Sequence, residues 1–481
     1  MRPATAIPPE LLTPTEMAQA DRLAGAGPAL MEAAGRAVAL AILSRFRPAR
    51  VLVLAGPGHN GGDGYVIARR LERAGWDVAV AALAPPRGDA LVAAAAWRGP
   101  MRDFSVAEVR RAGLIVDAVF GAGLARPVVG LVAEVLAAAR APIIAVDIPS
   151  GVCGATGALR GFAAQAALTV TFFRRKPGHL LLPGRDLCGD LLLADIGLPA
   201  AVLDSIRPRA FANGPALWSL PRPDATTHKH SRGHVTVLSG AGMSGAALLA
   251  ARAARRAGAG LVTLACADAA SAASHRLAEP GALVLEVRGM GALLGQILAD
   301  VRRAVVLLGP GLPPDATTRG ALAALLGAGR RVVADAGALT ACAGRPELLR
   351  GAAILTPHAG EFARGFGAPG EDRLTAVRAA AAQTGAVVLL KGSDSIIAAP
   401  DGRVAINHNA PPWLATGGTG DVLAGLAAAL LAQGLPAYEA ACAAAWLQGE
   451  AARRIGPGLL AEDLPMALPQ AFVAAGGAPE A

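Results

Sequence analysis

The chain has 481 residues, a formal charge of +9, 53% apolar residues and only 4% aromatics. That length predicts two domains rather than one, and Val, Leu and Ile runs recurring in every hundred residues exclude a disordered chain. No segment reaches 18 unbroken apolar residues, Met1 to Pro14 carries prolines where a leader peptide needs an apolar centre, and the arginines form no Lys/Arg block. A cytoplasmic protein with no membrane or nucleic-acid partner is therefore expected. It is also expected to be a homo-oligomer, though no sequence feature gives the oligomeric state. Five scattered cysteines, Cys153, Cys188, Cys266, Cys342 and Cys442, show no metal-type pairing and are expected to be reduced.

Residues 15–46 read as helical. After them come strands at 50–54, 77–83, 113–117, 142–147, 167–172 and 190–194, with helices at 61–74 and 129–140. Strands alternating with helices predict a parallel sheet covered on both faces. Prolines collect between Ile206 and Asp224, which reads as a linker. A second α/β series follows, with strands near 234–239, 261–265, 304–308, 331–335, 352–356 and 386–390 and a hairpin over 395–406. Its helices are expected at 245–257, 317–328, 371–384, 420–433 and 437–454. The resulting domains are 1–212, Rossmann-like, and 213–481.

The segment Thr416-Gly417-Gly418-Thr419-Gly420-Asp421 opens an apolar helix. Bare N–H groups and the positive helix end can hold an anion there, and Asp421 stands close enough to act as a base. That is a phosphoryl-transfer layout without the Lys-Ser/Thr ending of a Walker A loop. Other strand ends share its edge: Gly309-Pro310-Gly311, Thr356 to Glu361 with His358, and Lys391-Gly392-Ser393-Asp394-Ser395.

Two loops, Gly56 to Gly61 and Gly240 to Gly245, match the dinucleotide glycine pattern. The first lacks an acid at the next strand's tip; the second has Asp268 there, so an NAD-dependent oxidoreductase is one alternative. Asn60, Asp117, Asp147 and Ser150 all stand at strand ends of the first series and should converge on one crevice. Their oxygens suit a hard cation, with one carboxylate left as a base. Only three lysines, Lys176, Lys229 and Lys391, stand against 42 arginines (45 basic residues less 3). Lysine is expected to persist where a compact ammonium is wanted and a guanidinium fork would not fit.

With these motifs assembled, the chain resembles the bifunctional NAD(P)H-hydrate repair enzymes over nearly its whole length. In the first half, Gly58 to Gly64, Asp117 to Leu124 and Val146 to Gly151 are similar to the epimerase module. In the second, Gly233 to Ala247, Leu308 to Leu312, Leu355 to Phe362, Lys391 to Ser395 and Gly417 to Gly425 are similar to the ADP-dependent dehydratase, a ribokinase-like fold. The substrates so implied, NADHX and NADPHX, carry a hydroxyl at C6 of the reduced ring in two epimers. For the epimerase, the resemblance implies Asp147 as the acid/base residue and K+ held by Asn60, Asp117 and Ser150. Substrate contacts would come from His59, Asn60, Gly61, Gly62, Asp63, Gly121, Ala122, Gly123, Leu124, Ala125, Arg126, Pro127 and Asp147. For the dehydratase it implies Asp421 as base and Ala246, Gly311, His358 and Asp421 around the hydrate. Lys391, Gly392, Ser393, Asp394, Ser395 and Gly420 would hold the nucleotide, with ADP as co-substrate and Mg2+ beside it. His59 and Ala359 depart from the family's usual Asn and Pro. The alternatives are a ribokinase-like small-molecule kinase fused to a nucleotide-binding module, and an N-terminal scaffold without chemistry.

Overall fold

Apolar runs such as Val51–Ala55 and Val387–Leu390 are buried along their whole length, as parallel strands covered on both faces must be. The computed structural model describes residues 7–25 and 27–477, so the first six residues of the stretch read against a leader lie outside it. The chain divides into one unit ending at Ala210 and another beginning at Phe211.

In the first unit the strands lie in the order 101–102, 78–82, 51–55, 114–118, 143–146, 168–172, 190–194. All six neighbouring pairs are parallel, for example Val53 with Val80 on one side and with Val116 on the other. The order reverses at Val51–Ala55, so a crevice opens beyond its carboxyl end. The expected helix over 15–46 is two helices, Pro14–Ala24 and Gly27–Arg45. Gly25, at φ +64°, breaks them, a left-handed conformation that costs glycine nothing. By length and composition Gly27–Arg45 could cross a membrane. Its Met31, Ala34, Val38 and Ile42 instead pack in the core with Val66, Ile67 and the strands.

In the second unit the strands run 210–212, 404–407, 395–398, 387–390, 354–355, 331–334, 305–308, 234–239, 261–266, 283–286. The hairpin around Asp401-Gly402 is antiparallel, and the strands from 387–390 to 283–286 pair in parallel. Ala210–Ala212, within the expected linker, is a strand of this sheet. Helix Thr419–Ala432 buries every residue from Val422 to Leu431, which explains a run apolar all round: it is a central helix, packed against Ser244–Arg256. The edge strand Leu283–Glu286 and helices Ala269–Ala278, Met290–Ala299, Ala359–Phe366 and Leu464–Phe472 were not expected from the pattern.

Candidate active sites

The first crevice is a cavity of about 990 Å³ at the reversal point. Helix His59–Arg73 begins two residues before its expected start, which puts His59 and Asn60 in its first turn. Gly61 must lack a side chain, because a Cβ there would overlap the Gly56 carbonyl oxygen. The cavity is lined by His59, Asn60, Asp63, the whole of Gly121 to Pro127, Asp147 and Lys176. Gly61 and Gly62 lie behind it, as buried packing positions of the helix.

Asp147 follows strand Ile143–Val146 and holds φ +67°, a strained value for a non-glycine residue. Four contacts fix it. Lys176 Nζ donates to Oδ1 at 2.6 Å, Thr171 Oγ1 donates to the same oxygen at 2.9 Å, and the Ala122 N–H donates to Oδ2 at 3.0 Å. His179 Nε2 lies 2.9 Å from the Asp147 carbonyl oxygen while its Nδ1 accepts the Lys176 N–H, so the ring donates through Nε2. Burial keeps His179 neutral, with a pKa near 4. Burial also works to raise Asp147, but the adjacent ammonium outweighs it and holds the carboxyl at about 2.

Asp117 and Ser150 are in contact: Ser150 Oγ donates to Asp117 Oδ1 at 2.6 Å and Ser150 N–H to Oδ2 at 2.8 Å. Asn60 stands at Gly121, where a Cβ would lie 3.3 Å from both Asn60 Oδ1 and Asp147 Oδ2. Asn60 Nδ2 is buried without a hydrogen-bond partner among the described residues. Amide, hydroxyl and carboxylate oxygens together are a donor set that fits a hard cation.

The expected residues of the second unit gather at the carboxyl ends of its parallel strands, with Lys391, Glu361 and Asp335 following neighbouring strands 387–390, 354–355 and 331–334. Gly311, at φ +73°, carries its carbonyl to the place a Cβ of Gly240 would need, so both glycine loops depend on the missing side chains. His358 and Lys391 form a parallel bridge between neighbouring strand ends. Lys391 Nζ donates to buried Asp335 Oδ1 at 2.7 Å and lies 4.0 Å from Glu361 Oε2. It is also 3.3 Å from the position a Gly420 Cβ would take, so the lysine reaches the glycine loop. Asp421, in the first turn of its helix, is raised to about 6 by burial and then by the charge of Asp335, against the opposing pull of Lys391. Ala246 is buried at the start of helix Ser244–Arg256.

The patterns behind these sites match two families. Residues 27–178 match the YjeF-related protein N-terminus, and residues 235–468 match NAD(P)H-hydrate dehydratase. A bifunctional NAD(P)H-hydrate repair enzyme of Moorella thermoacetica is 38% identical, covering 94% of this chain and 95% of its own. One from Pyrobaculum aerophilum is 38% identical, with 96% and 98% covered, and one from Escherichia coli 35%, with 90% and 87%. The chain belongs to the bifunctional NAD(P)H-hydrate repair enzymes. A Bacillus subtilis ADP/ATP-dependent NAD(P)H-hydrate dehydratase, co-crystallized with ATP/Mg2+, is 30% identical and covers 54% of this chain and 96% of its own, at TM-score 0.48.

Some of the expected site side chains in this repair enzyme's structure have partners of their own. His358 is the N-cap of helix Ala359–Phe366: its Nδ1 accepts from the Gly360 and Glu361 N–H groups while Glu361 accepts from His358 N–H. Its Nε2 lies 3.5 Å from Glu361 Oε1. Asp394 is buried against Arg373, and Ser395 Oγ bonds to Gly392, so these side chains shape the 391–395 turn. Asp268 caps helix Ala269–Ala278 through the Ser271 N–H, which removes the acid an oxidoreductase reading required. Lys176, Thr171, His179, Asp335 and Glu361 were not named as site residues. Lysine scarcity was the available signal for Lys176; Lys391 was already placed by its strand end.

Proposed function

We propose that this chain repairs hydrated nicotinamide cofactors with both units, the first interconverting the R and S forms of NADHX and NADPHX and the second dehydrating the S form. What carries the reading is a pair of glycine-rich sites at the carboxyl ends of parallel strands, each built around an aspartate and a lysine.

In the second unit, Asp421 takes the proton of the C6 hydroxyl as that oxygen attacks the β-phosphorus of ADP and AMP departs. A pKa near 6 suits a base that must be ionised near neutrality yet accept a proton. The N–H groups at Gly418 to Gly420, with the helix end behind them, stabilise the transferring group. Lys391 balances its charge while Asp335 fixes the ammonium. Loss of phosphate from C6 and of a proton from C5 then restores the double bond, giving NAD(P)H. Mg2+ would neutralise the nucleotide phosphates, with Asp421 and Glu361 the nearby carboxylates.

In the first unit, Asp147 acts at the hydroxyl-bearing carbon and residues 121–127 with His59 and Asn60 hold the substrate. Asn60, Asp117 and Ser150 are the oxygens for K+, which would supply fixed positive charge beside the substrate phosphates. The protein is taken to be a cytoplasmic homo-oligomer acting on small molecules.

Chromatography of both epimers, with and without ADP, tests the reading. The S form should disappear only with ADP, and R should drain through S. A stable phosphorylated alcohol would favour a kinase of the ribokinase type, and no ADP-dependent loss of S would refute the dehydratase.

A further inference from the structure

Asp63 lines the cavity of the first unit without a side-chain partner among the described residues. It sits in helix His59–Arg73 and is 9% exposed. Among the described residues no hydrogen bond or ion pair reaches its carboxyl. An ionised carboxylate so placed receives no ion pair or donated hydrogen bond from the protein, which favours its protonated form. Burial first, then the charges of Asp147 and Asp21, push its pKa well above the ordinary carboxylate range. Asp147 lines the same cavity as an ion, fixed by Lys176 and Thr171. One neutral and one charged carboxyl in a shared cavity is the condition for dividing acid and base roles between them.

Resting on the epimerase reading above, we propose that Asp63 is the proton donor of the epimerase site, working with the Asp147 carboxylate at the C6 hydroxyl. A hydroxyl beside a ring nitrogen cannot leave as hydroxide at a useful rate; it leaves as water once protonated. Asp63 gives its proton to that oxygen, the C6–O bond breaks with its electron pair going to the departing water, and the nitrogen lone pair closes an N1–C6 iminium. The Asp147 carboxylate stabilises this cation. Water then adds to the other face of C6, and its surplus proton passes through cavity water to the Asp63 carboxylate. That restores both carboxyls to their starting states, and nothing is oxidised or reduced. The buried, unpaired acid and the strained, ion-paired one each have a task.

The test follows interconversion of the separated epimers in the full-length protein without ADP, in ordinary and heavy-oxygen water. Wild type should take up one solvent oxygen at C6 for each inversion. Asp63→Asn should lower kcat by about 10²- to 10³-fold with KM within about threefold of wild type. Asp63→Glu, which keeps the acid, should retain at least about a tenth of wild-type kcat. Inversion without solvent oxygen, an Asn variant within threefold of wild type, a rise in KM at unchanged kcat, or a Glu variant no faster than the Asn one would each overturn the proposal. A wild-type protein that fails to invert epimers would instead refute the epimerase reading and this proposal with it.

Discussion

Replacing Lys176 with Met should destabilise the first unit in a way that depends on pH. The Lys176 side chain is 2% exposed and donates to Asp147 Oδ1 at 2.6 Å and to Thr171 Oγ1 at 2.9 Å. Its presence is why Asp147 sits at about 2 rather than at its ordinary 3.8, despite burial. At about 1.4 kcal/mol for each tenfold change in proton binding, that difference is worth about 2.5 kcal/mol at neutral pH. Leaving one buried charge without its partner costs about 3–5 kcal/mol by a separate route, so the two figures agree on the order of 3. For a unit of this size the melting transition should fall by about 6–12 °C. The sign can be followed with pH. A carboxyl depressed on folding stabilises the fold above its unfolded value and loses that contribution as pH falls toward 2. In the variant, unopposed burial raises Asp147, so the protein gains stability on acidification. Wild type and Lys176→Met should therefore differ most at pH 7 and converge below pH 4. Scanning calorimetry of the full chain across that range reads the effect. A difference that stays constant from pH 7 to pH 3 would refute the Asp147–Lys176 coupling.

Three further outcomes follow from the second unit. ADP-dependent NADH recovery should fall about tenfold per pH unit below a midpoint near 6, because Asp421 must be ionised to act; Asp421→Asn should abolish it. A midpoint below pH 4.5 in a kcat profile would count against Asp421 as the base. Asp335→Asn removes one of the acids that raise Asp421, so the acid limb should move to lower pH even if the rate drops. An unmoved limb would mean that Asp335 acts only on Lys391. Asp394→Asn, which breaks the buried pair with Arg373, should cost about 2–4 kcal/mol by denaturant titration and weaken nucleotide binding through the 391–395 turn. Full stability in that variant would show that the turn holds itself.

Strand ends were the legible part of the sequence. Val51–Ala55, Leu114–Ala118, His234–Ser239 and Val387–Leu390 lie within a residue or two of where apolar runs placed them, because such runs have no other stable position than inside a covered sheet. Asp117, Asp147, Asp421 and Lys391 followed from that, since a parallel sheet lines up its carboxyl ends. Residues that act across the sheet were not legible. Lys176 reaches Asp147 from 29 positions away and Lys391 reaches Asp335 from 56, and no local pattern reports such a meeting. The helix break at Gly25 and the strand Ala210–Ala212 were missed for another reason. A single glycine between two good helices, and three residues among prolines, carry too short a signal for periodicity to detect.

The two sites use the same pair of side chains to opposite ends. In the first, Lys176 pairs with Asp147 itself, and that carboxyl is driven down to about 2. In the second, Lys391 is taken by Asp335 at 2.7 Å, so its pull on Asp421 is partly cancelled by the acid that holds it, with Glu361 adding to the opposition. Asp421 is left at about 6. The difference matches the chemistry each crevice is asked to perform. A carboxylate that must face a cationic ring should never be protonated near neutrality, whereas one that must receive a proton from an alcohol needs appreciable basicity. Burial is the largest influence on both carboxyls, so what separates the two sites is how much of the lysine's charge is left to oppose it. Removing Asp335 should make the second site resemble the first, with Asp421 more acidic and a weaker base.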